Sequence, residues 1–332
     1  MKIQNIEKIL YDIPLITGQI RSGIWINLID ANERNGWGEI APLPKWSDET
    51  LEEAMAQLDE RMDQILEIEW TPSNCLKKLS DLDLLPSVSF GLESALLSLL
   101  APIPVFKIPV SALLMGSPEE ILKQAALRRK EGFTSAKLKV SNLNFDDAAS
   151  VIHHLKNTFR LRIDVNRQWP TDKSLNFFAQ FPLNTFDYVE EPFQNPKDLV
   201  MFPHPLAVDE SFPSDLSLKE LEAFPTLKAL IYKPTMQGGL QACIPLVEWC
   251  KKRGVEFVLS SSFESDLGLA HVASLAQRLS LTSPVGIGTY HFFANPSSAS
   301  PLKFINGHAL ISPYSKRNFT TEALRGTEGF AF

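Results

Sequence analysis

The chain has 332 residues, of which 44% are hydrophobic and 21% are charged. These proportions are typical of a globular protein, so a chain that is disordered throughout is excluded. Its 32 Lys and Arg residues against 39 Asp and Glu residues give a net charge of −7, which provides no general attraction for nucleic acid or for an anionic membrane. At roughly 100–200 residues per domain, the length predicts either two domains or one large α/β barrel with an extension.

The first hundred residues predict a small α+β unit, because alternating apolar runs indicate strands and longer amphipathic patterns indicate helices. A segment rich in Gly and Pro, 36–50, reads as a loop, and Ser47 or Asp48 in it is the candidate cap of the first helix. The predicted strands lie at 1–15 and 24–28, and the predicted helices lie at 51–66 and 87–100.

From residue 108 onward, short apolar runs alternate with helical stretches, which predicts a parallel sheet. Eight such runs suit a (β/α) barrel better than an open doubly wound sheet. They lie at 108–114, 135–140, 161–165, 186–190, 205–209, 227–233, 255–260 and 284–287. The fourth connecting segment, 195–205, is short and rich in proline, so we expect a truncated outer helix there.

The cysteine pattern and the apolar segments bear on the compartment. Cys75, Cys243 and Cys250 form no CxxC pair, which argues against a disulfide framework and a cysteine zinc site and favours a reducing cytosol. The first 15 residues lack the apolar block of a signal peptide, and the apolar region 94–115 is interrupted by prolines and a lysine. We therefore expect a cytoplasmic protein with no membrane span.

Three acidic residues stand at the ends of three consecutive predicted strands: Asp164, Glu190 and Asp209. The carboxyl ends of barrel strands meet at one mouth, so these side chains can converge. Converging carboxylates repel one another unless a cation lies between them, and oxygen ligands suit Mg²⁺ before Zn²⁺. The alternative is that each carboxylate caps a helix or binds backbone N–H groups. Their occurrence at three successive strand ends favours the metal.

Lysines flank this predicted metal site. Lys137 and Lys139 have the i, i+2 spacing that puts both on one face of a strand, although an exposed strand with two solvated lysines would show the same spacing. Lys233 ends the sixth run, across the barrel. Lysines on two sides of a metal-bound substrate suit the removal of a proton α to a carboxylate, with a neutral lysine as the base.

Sequence motifs along nearly the whole chain resemble one family. They are GWGEIAPLP, PSVSFGLESAL, AKLKV, RLRIDVNRQW, DYVEEPF, AVDES, IYKPTMQGG and SSSFESDLGLAHVASLA. In this order and spacing they resemble the o-succinylbenzoate synthase family, in the branch of the enolase superfamily that serves menaquinone biosynthesis. The resemblance implies an α+β capping domain over a modified (β/α)₇β barrel. We place the capping domain at 1–105, completed by 290–332, and the barrel at 106–289.

The same resemblance implies roles for individual residues. Asp164, Glu190 and Asp209 match the ligands of Mg²⁺, for which Mn²⁺ can substitute. Lys139 matches the general base, which then acts as the acid, and Lys137 matches a helper that contacts the substrate carboxylate. Lys233 matches the lysine on the opposite face, which would stabilise negative charge without transferring a proton. The implied substrate-binding and supporting residues are Ser260, Ser261, Ser262, Arg162 and Asn166.

The implied reaction is a lyase reaction, the syn dehydration of 2-succinyl-6-hydroxy-2,4-cyclohexadiene-1-carboxylate to o-succinylbenzoate. The implied partner is this small carboxylate alone, bound by a monomer or a small homo-oligomer. Two loops of the capping domain, 19–23 and 37–46, are expected to lie over the barrel mouth and exclude water. The alternative is that Trp37 and the segment Pro42–Pro44 only pack the domain interface. Gly288 departs from the pattern, which leads us to expect an acidic residue there.

Five other functions remain as alternatives. N-acylamino acid racemisation and dipeptide epimerisation would use the same residues, with Lys139 and Lys233 both exchanging protons. A barrel glycosidase would use Glu190 and Glu264 as its two carboxylates. A Schiff-base aldolase would use Lys233. A binding scaffold without catalysis would lack one or more of the lysines or metal ligands, and all of them are present.

Overall fold

The protein is described from a computed structural model, which covers residues 1–294 and 300–313. The chain begins with a three-stranded antiparallel sheet in the order β1-β2-β3. Its strands are β1 (Ile3–Pro14), β2 (Ile20–Asp30) and β3 (Asn35–Ile40). The central strand β2 is buried on both faces over most of its length, which explains its nearly continuous apolar run.

Helices α1 (Leu51–Glu67), α2 (Cys75–Ser80) and α3 (Pro86–Leu100) cover one face of this sheet and complete the capping domain. The cap of α1 is Thr50, which forms a capping box with Glu53, so the prediction of Ser47 or Asp48 was wrong. The second predicted helix is confirmed as α3.

Strand β3 falls in the segment that was predicted as a loop. The glycines of this segment are required for steric reasons and do not mark a loop. A Cβ atom on Gly38 would lie 2.1 Å from the carbonyl oxygen of Gly91. The glycines that read as loop residues allow α3 to lie directly on β3, and their purpose is close packing between a strand and a helix.

The second part of the chain forms a seven-stranded parallel sheet in the order β5 to β11. Its strands are β5 (Ser111–Leu114), β6 (Ser135–Lys139), β7 (Arg160–Asp164), β8 (Tyr188–Glu190), β9 (Leu206–Val208), β10 (Leu227–Tyr232) and β11 (Glu256–Leu259). Isolated bridges join Val285 to Val110 and Gly286 to Ser260, and so connect the two edges of the sheet. The predicted (β/α)₇β barrel is confirmed, with its eighth strand reduced to these two bridges.

Helices surround the barrel and bury its outer face in the largest apolar core. They are α4 (Pro118–Lys130), α5 (Phe145–Leu155), α6 (Thr171–Phe178), α7 (Leu218–Leu221), α8 (Pro234–Gln237), α9 (Leu240–Arg253) and α10 (Asp266–Arg278). The fourth connection is only a 3₁₀ helix, Pro196–Met201, as its prolines predicted. Among the residues described, no helix is both long and apolar enough to cross a membrane.

The first predicted barrel run, 108–114, divides into two strands with different partners. β4 (Phe106–Pro109) pairs with the hairpin of β12 (Leu302–Ile305) and β13 (His308–Ile311), and only β5 enters the barrel. The chain after the barrel also contacts the capping domain, where Phe293 forms a bridge with Leu15. The parts of the predicted 290–332 extension at 295–299 and 314–332 lie outside the described residues.

Candidate active site

Strand register aligns the charged residues of the first half of the barrel mouth. Lys139 is opposite Asp164, and Asp164 is opposite Glu190, in the ladders that join β6, β7 and β8. Asp209 and Lys233 follow β9 and β10 directly, at the same end of the sheet. The structure therefore brings the predicted acids and lysines to one barrel mouth.

Lys137 lies deepest among the lysines of this mouth. Its Nζ is 2.9 Å from Asp164 Oδ2 and 2.7 Å from Glu190 Oε1. Burial alone would lower the pKa of Lys137, but the charges of these two carboxylates outweigh burial and hold that pKa well above its usual value. Lys137 therefore stays a cation between two carboxylates, and the alternative of a solvated lysine does not apply to it.

Lys139 points to the same interior face and is the more open of the pair, with 31% of its side chain exposed against 14% for Lys137. Its Nζ donates to Asn166 Oδ1 at 3.2 Å and lies 3.7 Å from Asp164 Oδ2. Asn166 in turn donates from Nδ2 to Glu210 Oε1 at 3.3 Å. Lys139 is thus held at the mouth by one amide, with its ammonium group accessible.

Lys233 faces this group from the other side and forms an ion pair with Asp209. Burial alone would lower the pKa of Lys233, and Asp209 reverses the effect, so that its pKa lies above the usual value. Burial would likewise raise the pKa of Asp209, but Lys233 lowers it below the usual range. Both groups are therefore charged at neutral pH.

Three acidic side chains could hold a metal ion together. Glu190, Asp209 and Glu210 each present one carboxylate oxygen, and these oxygens lie within 4.8 Å of one another. Burial and the nearby charge of Asp164 raise the pKa of Glu190 well above its usual value, and burial with the charge of Asp209 raises that of Glu210 to about 8. These carboxylates destabilise one another, as expected at a site built for a cation.

Two buried oxygens test the fit of this site to a hard cation. Among the described residues, Glu190 Oε2 and Glu210 Oε2 accept no hydrogen bond although both are buried. Such oxygens are costly unless a cation or a proton satisfies them. Asp164, the remaining predicted ligand, instead pairs with Lys137, and its pKa, which burial would raise, is lowered by Lys137 and Lys139. The donor set fits Mg²⁺, with Glu210 as a neighbour that sequence reasoning did not assign.

Glu191 has a different role from Glu190, as strand alternation requires of adjacent residues. Its Oε1 accepts the backbone N–H groups of Asp209 at 2.8 Å and Ser211 at 2.9 Å, and its Oε2 accepts the Ser211 hydroxyl at 2.5 Å. Burial raises the pKa of Glu191 to about 7 in spite of these hydrogen bonds. Glu191 therefore fixes the turn that carries Asp209.

The predicted substrate-binding residues fall at two depths. Ser260, Ser261 and Ser262 follow β11 at the mouth. The Ser261 hydroxyl donates to Gly286 O at 2.8 Å and forms a second hydrogen bond with Thr289 Oγ1 at 2.7 Å. The Ser262 hydroxyl has no hydrogen-bond partner among the described residues. Arg162 lies opposite Lys137, one interior layer below Asp164, but its side chain bonds Asp187 and Pro284 O and does not join the charged group at the mouth as Lys137 does.

Arg162 is instead part of the barrel interior. Its Nε donates to Asp187 Oδ2 at 3.0 Å, its Nη1 donates to Pro284 O at 2.7 Å, and its guanidinium lies 4.9 Å from the ring centre of Tyr188. Gly288 lies near the same interior, where a Cβ atom would stand 2.7 Å from the backbone nitrogen of Leu113. The acidic residue expected there has no room.

The first predicted lid segment contacts the loop after β11, where Arg21 donates to Phe263 O at 3.0 Å, whereas Trp37 of the second segment packs elsewhere. Trp37 packs with Tyr11, Trp25 and Leu267 of α10, so its role is that of interface packing. Trp46, at the end of the second loop, is exposed.

Two family models match successive parts of the chain. The family model described as the MenC N-terminal domain matches residues 15–99. The model described as the enolase C-terminal domain-like family matches residues 120–314.

Solved structures show the same architecture. The L-Ala-D/L-Glu epimerase of Bacillus subtilis superposes with a TM-score of 0.81 at 18% identity, covering 94% of this chain and 96% of that one. MenC of Desulfotalea psychrophila superposes with a TM-score of 0.76 at 20% identity, covering 93% of this chain and 100% of that one. At these identities the likeness establishes the fold.

Curated relatives establish the family. The o-succinylbenzoate synthase of Pasteurella multocida is 31% identical over 312 residues, covering 88% of this chain and 90% of the relative. The enzyme of the same name from Yersinia enterocolitica is 32% identical over 302 residues, covering 84% of this chain and 88% of the relative. With the interior lysines and acids described above, these matches show that the chain belongs to the o-succinylbenzoate synthase family of the enolase superfamily.

Proposed function

We propose that the protein is a lyase that dehydrates 2-succinyl-6-hydroxy-2,4-cyclohexadiene-1-carboxylate to o-succinylbenzoate in menaquinone biosynthesis. The observation that carries the proposal is the opposition of Lys139 and Lys233 across a buried group of carboxylates, in a chain of this family. The enolase superfamily uses such an arrangement to remove a proton α to a carboxylate.

Asp164, Glu190 and Asp209 are proposed to hold Mg²⁺, or Mn²⁺ in its place, and Glu210 supports them from the same acidic group. The bound ion would stabilise the negative charge that develops on the substrate carboxylate when the α proton leaves. The two buried and unpartnered oxygens of Glu190 and Glu210 support this assignment. The ion pair of Lys137 with Asp164 and Glu190 keeps these carboxylates aligned.

Lys139 is the proposed base, because it is the accessible lysine of the pair. In its neutral form it takes the proton from the carbon α to the carboxylate, and the C–H electrons pass into the carboxylate as an enediolate. The C–O bond then breaks, and the same lysine returns the proton to the departing hydroxide, which leaves as water. One lysine serves both steps because proton and hydroxyl leave from one face, and the product gains aromatic stabilisation.

Lys233 and Lys137 are proposed to act as fixed cations. Lys233 stays protonated beside Asp209 and stabilises the developing negative charge from the opposite face. Lys137 contacts the substrate carboxylate from below. Asn166 positions Lys139, and Ser260, Ser261 and Ser262 receive the succinyl side chain, with the free hydroxyl of Ser262 as the proposed hydrogen-bond donor. Arg162 supports the site from inside the barrel, where it donates to Pro284 O.

We further infer a cytoplasmic protein that acts as a monomer or small homo-oligomer on this small molecule, without nucleic acid or membrane partners. Three buried cysteines without disulfides support a reducing compartment. The proposed division is a capping domain of 1–105, completed by 290–332, and a barrel of 106–289. One apolar core lies wholly within the first hundred residues, which supports a separate capping domain. The other core is built mainly from the barrel and also takes in Phe293, Leu302 and Ile311 of the C-terminal segment.

Substitution of the base tests the proposal. Lys139→Ala should reduce dehydration at least about a thousandfold, since both proton transfers use this side chain. Mg²⁺ affinity and the melting temperature should stay close to those of the wild type. Lys228→Ala removes an exposed lysine of the same barrel and serves as the matched control. Near-normal turnover by Lys139→Ala would show that the base is another residue.

Epimerisation is the second candidate, because Lys233 faces the site from the side opposite to Lys139. The dipeptide epimerase of Methylococcus capsulatus, a structure with Mg and a dipeptide, superposes with a TM-score of 0.79 at 19% identity. Incubation with N-succinylamino acids in deuterated water distinguishes the two functions. Deuterium exchange without dehydration of the cyclohexadiene would favour the epimerase or racemase.

A further inference from the structure

One arginine of the capping domain connects three loops around the barrel mouth. The guanidinium of Arg21 donates from Nε to Phe263 O at 3.0 Å, and from Nη1 to Ser22 O at 2.8 Å and Pro42 O at 2.9 Å. Its Nη2 donates to Ala41 O. Arg21 lies at the start of β2, so the first of the two capping-domain segments predicted as loops, 19–23, is mostly strand. Arg21 thus joins both of these capping-domain loops, 19–23 and 37–46, to the loop that follows β11.

The surroundings of Arg21 show that it serves the scaffold. Only 3% of the residue is exposed, and at least four of its five N–H groups point to backbone carbonyl oxygens. Such a guanidinium is not free to bind an anionic substrate. Its contribution is to hold three backbone segments at fixed distances from one another.

The loop that Arg21 holds needs such a support. Phe263 directly follows the serines at the mouth and has a φ of +60°, a backbone region that bulky residues adopt only when their surroundings impose it. Its neighbour Glu264 faces the barrel, accepting the Thr235 hydroxyl at 2.6 Å and the Ser262 N–H at 2.7 Å. The loop is therefore fixed from the barrel on one side and by Arg21 on the other.

A second capping-domain residue acts on the far end of this loop. Glu39 accepts the N–H groups of Ser265 and Gly268, each at 2.8 Å, and also the Ser265 hydroxyl. Ser265 makes no side-chain cap for α10, so the carboxylate of Glu39 caps this helix from another domain. A Cβ atom on Gly268 would lie 2.8 Å from Glu39 Oε2, which explains the glycine.

We propose that Arg21 is a positioning residue for the substrate pocket: by tying both capping-domain loops to Phe263 O, it sets the loop 260–264 in the conformation that receives the substrate side chain. The inference rests on the proposed function, which assigns that side chain to Ser260–Ser262. Small displacements of a binding group cost much of its effect, so loosening this tie should weaken substrate binding before it affects chemistry.

Kinetics of Arg21→Lys test the proposal. Lysine keeps the charge but carries only three N–H donors on a single nitrogen, so it cannot replace the planar guanidinium that donates to four carbonyl oxygens from three nitrogens. We expect KM for the cyclohexadiene to rise about tenfold while kcat falls less than about threefold, the pattern of lost binding that is common to ground state and transition state. The affinity for Mg²⁺ should not change.

Arg278→Lys is the matched control. Arg278 also ties the barrel to the capping domain, with Nη2 donating to Leu97 O at 3.3 Å and Ala101 O at 2.6 Å, at the opposite end of α10 from the loop. The Arg278→Lys variant should have a lower melting temperature than the wild type and an unchanged KM. If Arg21→Lys behaves like Arg278→Lys, the role of Arg21 is only structural and the proposal is overturned.

Gly268→Ala provides a second variant if Arg21→Lys does not fold. The added Cβ atom would lie 2.6 Å from Glu264 Cβ and 2.8 Å from Glu39 Oε2, so it shifts the same loop from its far end. The same rise in KM is expected, and an unchanged KM would contradict the proposal.

Amide hydrogen exchange separates this inference from the proposed function. Residues 261–268 should exchange faster in Arg21→Lys than in Arg278→Lys. If the wild type does not dehydrate the cyclohexadiene, the proposed function is wrong, whereas equal exchange in the two variants would overturn the tether itself.

Discussion

The two halves of the barrel mouth are built in different ways. In the first half, from β6 to β8, the charged residues lie within strands, and register alone aligns Lys139, Asp164 and Glu190. In the second half, Asp209 and Lys233 lie just beyond their strands, where no ladder holds them. Buried side chains from elsewhere fix this half, so its precision depends on residues that touch no substrate.

Three anchors of the second half can be identified. Glu191 accepts the N–H groups of the turn at Asp209. Gln237 accepts the Lys233 N–H at 2.9 Å and donates to Phe212 O at 3.2 Å, which joins the turns after β9 and β10. Glu93 of the capping domain accepts the N–H of Leu240, at the start of α9. Breaking each anchor in turn tests whether this half depends on them.

Glu191→Ala should have the largest effect. It leaves the buried N–H groups of Asp209 and Ser211 without an acceptor, so we expect the free energy of unfolding to fall by about 3 kcal/mol. Mg²⁺ affinity should fall about 10–100-fold, the usual cost of losing a residue that orients a ligand. Calorimetric titration with Mg²⁺ measures this affinity. Glu191→Gln keeps one acceptor oxygen, so its Mg²⁺ affinity should lie between that of the wild type and that of Glu191→Ala. Wild-type affinity in Glu191→Ala would show that Glu191 does not position Asp209.

Gln237→Leu should have an intermediate effect on turnover. The variant keeps the size of the side chain but releases the backbone of Lys233 from that of Phe212, so kcat should fall about tenfold. Mg²⁺ affinity should stay near the wild-type value, in contrast to Glu191→Ala. Gln241→Leu, on the exposed side of α9, is the control. Equal kcat values for the two variants would show that Lys233 is positioned without Gln237.

Glu93→Gln should change turnover least and instead alter the pH dependence of stability. Burial raises the folded-state pKa of Glu93 to about 7, in spite of the hydrogen bonds from the backbone of α9. The unfolded chain then releases this proton at lower pH, so the free energy of unfolding falls as the pH rises from about 4.5 to about 7, by at most about 3 kcal/mol. A neutral glutamine removes this decline.

Urea unfolding at pH 5 and pH 8 measures the difference. Glu119→Gln, in an exposed helix turn, should retain the wild-type decline. The same decline in Glu93→Gln would mean that Glu93 does not contribute to it.

The same contrast explains what the sequence could predict. The first half of the mouth follows from the i, i+2 spacing of Lys137 and Lys139 and from acids at strand ends, which are local patterns. The anchors of the second half do not follow from local patterns, because Glu191 and Glu93 bind groups 18 and 147 positions away in the chain. Only the folded backbone reveals such pairs.

The remaining errors have similar causes. The capping position of α1 depends on which of several polar residues meets the first turn, and Thr50 does so. The split of the run 108–114 depends on the pairing of β4 with β13, which lies far along the chain: Phe106 pairs with Ile311 and Pro109 with His308. Arg162 shares its strand face with Asp164 and its register with Lys137, but its side chain bonds Asp187 and Pro284 O, whereas Lys137 contacts Asp164. Sequence spacing gives the face of a strand and cannot give the partners that a long side chain reaches.

The central claim is a metal-dependent dehydration, and the most direct test is the loss of the absorbance of the cyclohexadiene substrate in the presence of the purified protein. We predict steady conversion with Mg²⁺, its loss on addition of EDTA, and its recovery when Mg²⁺ is restored. Undiminished conversion after complete removal of divalent metal, or no conversion of this substrate with Mg²⁺ bound, would contradict the account.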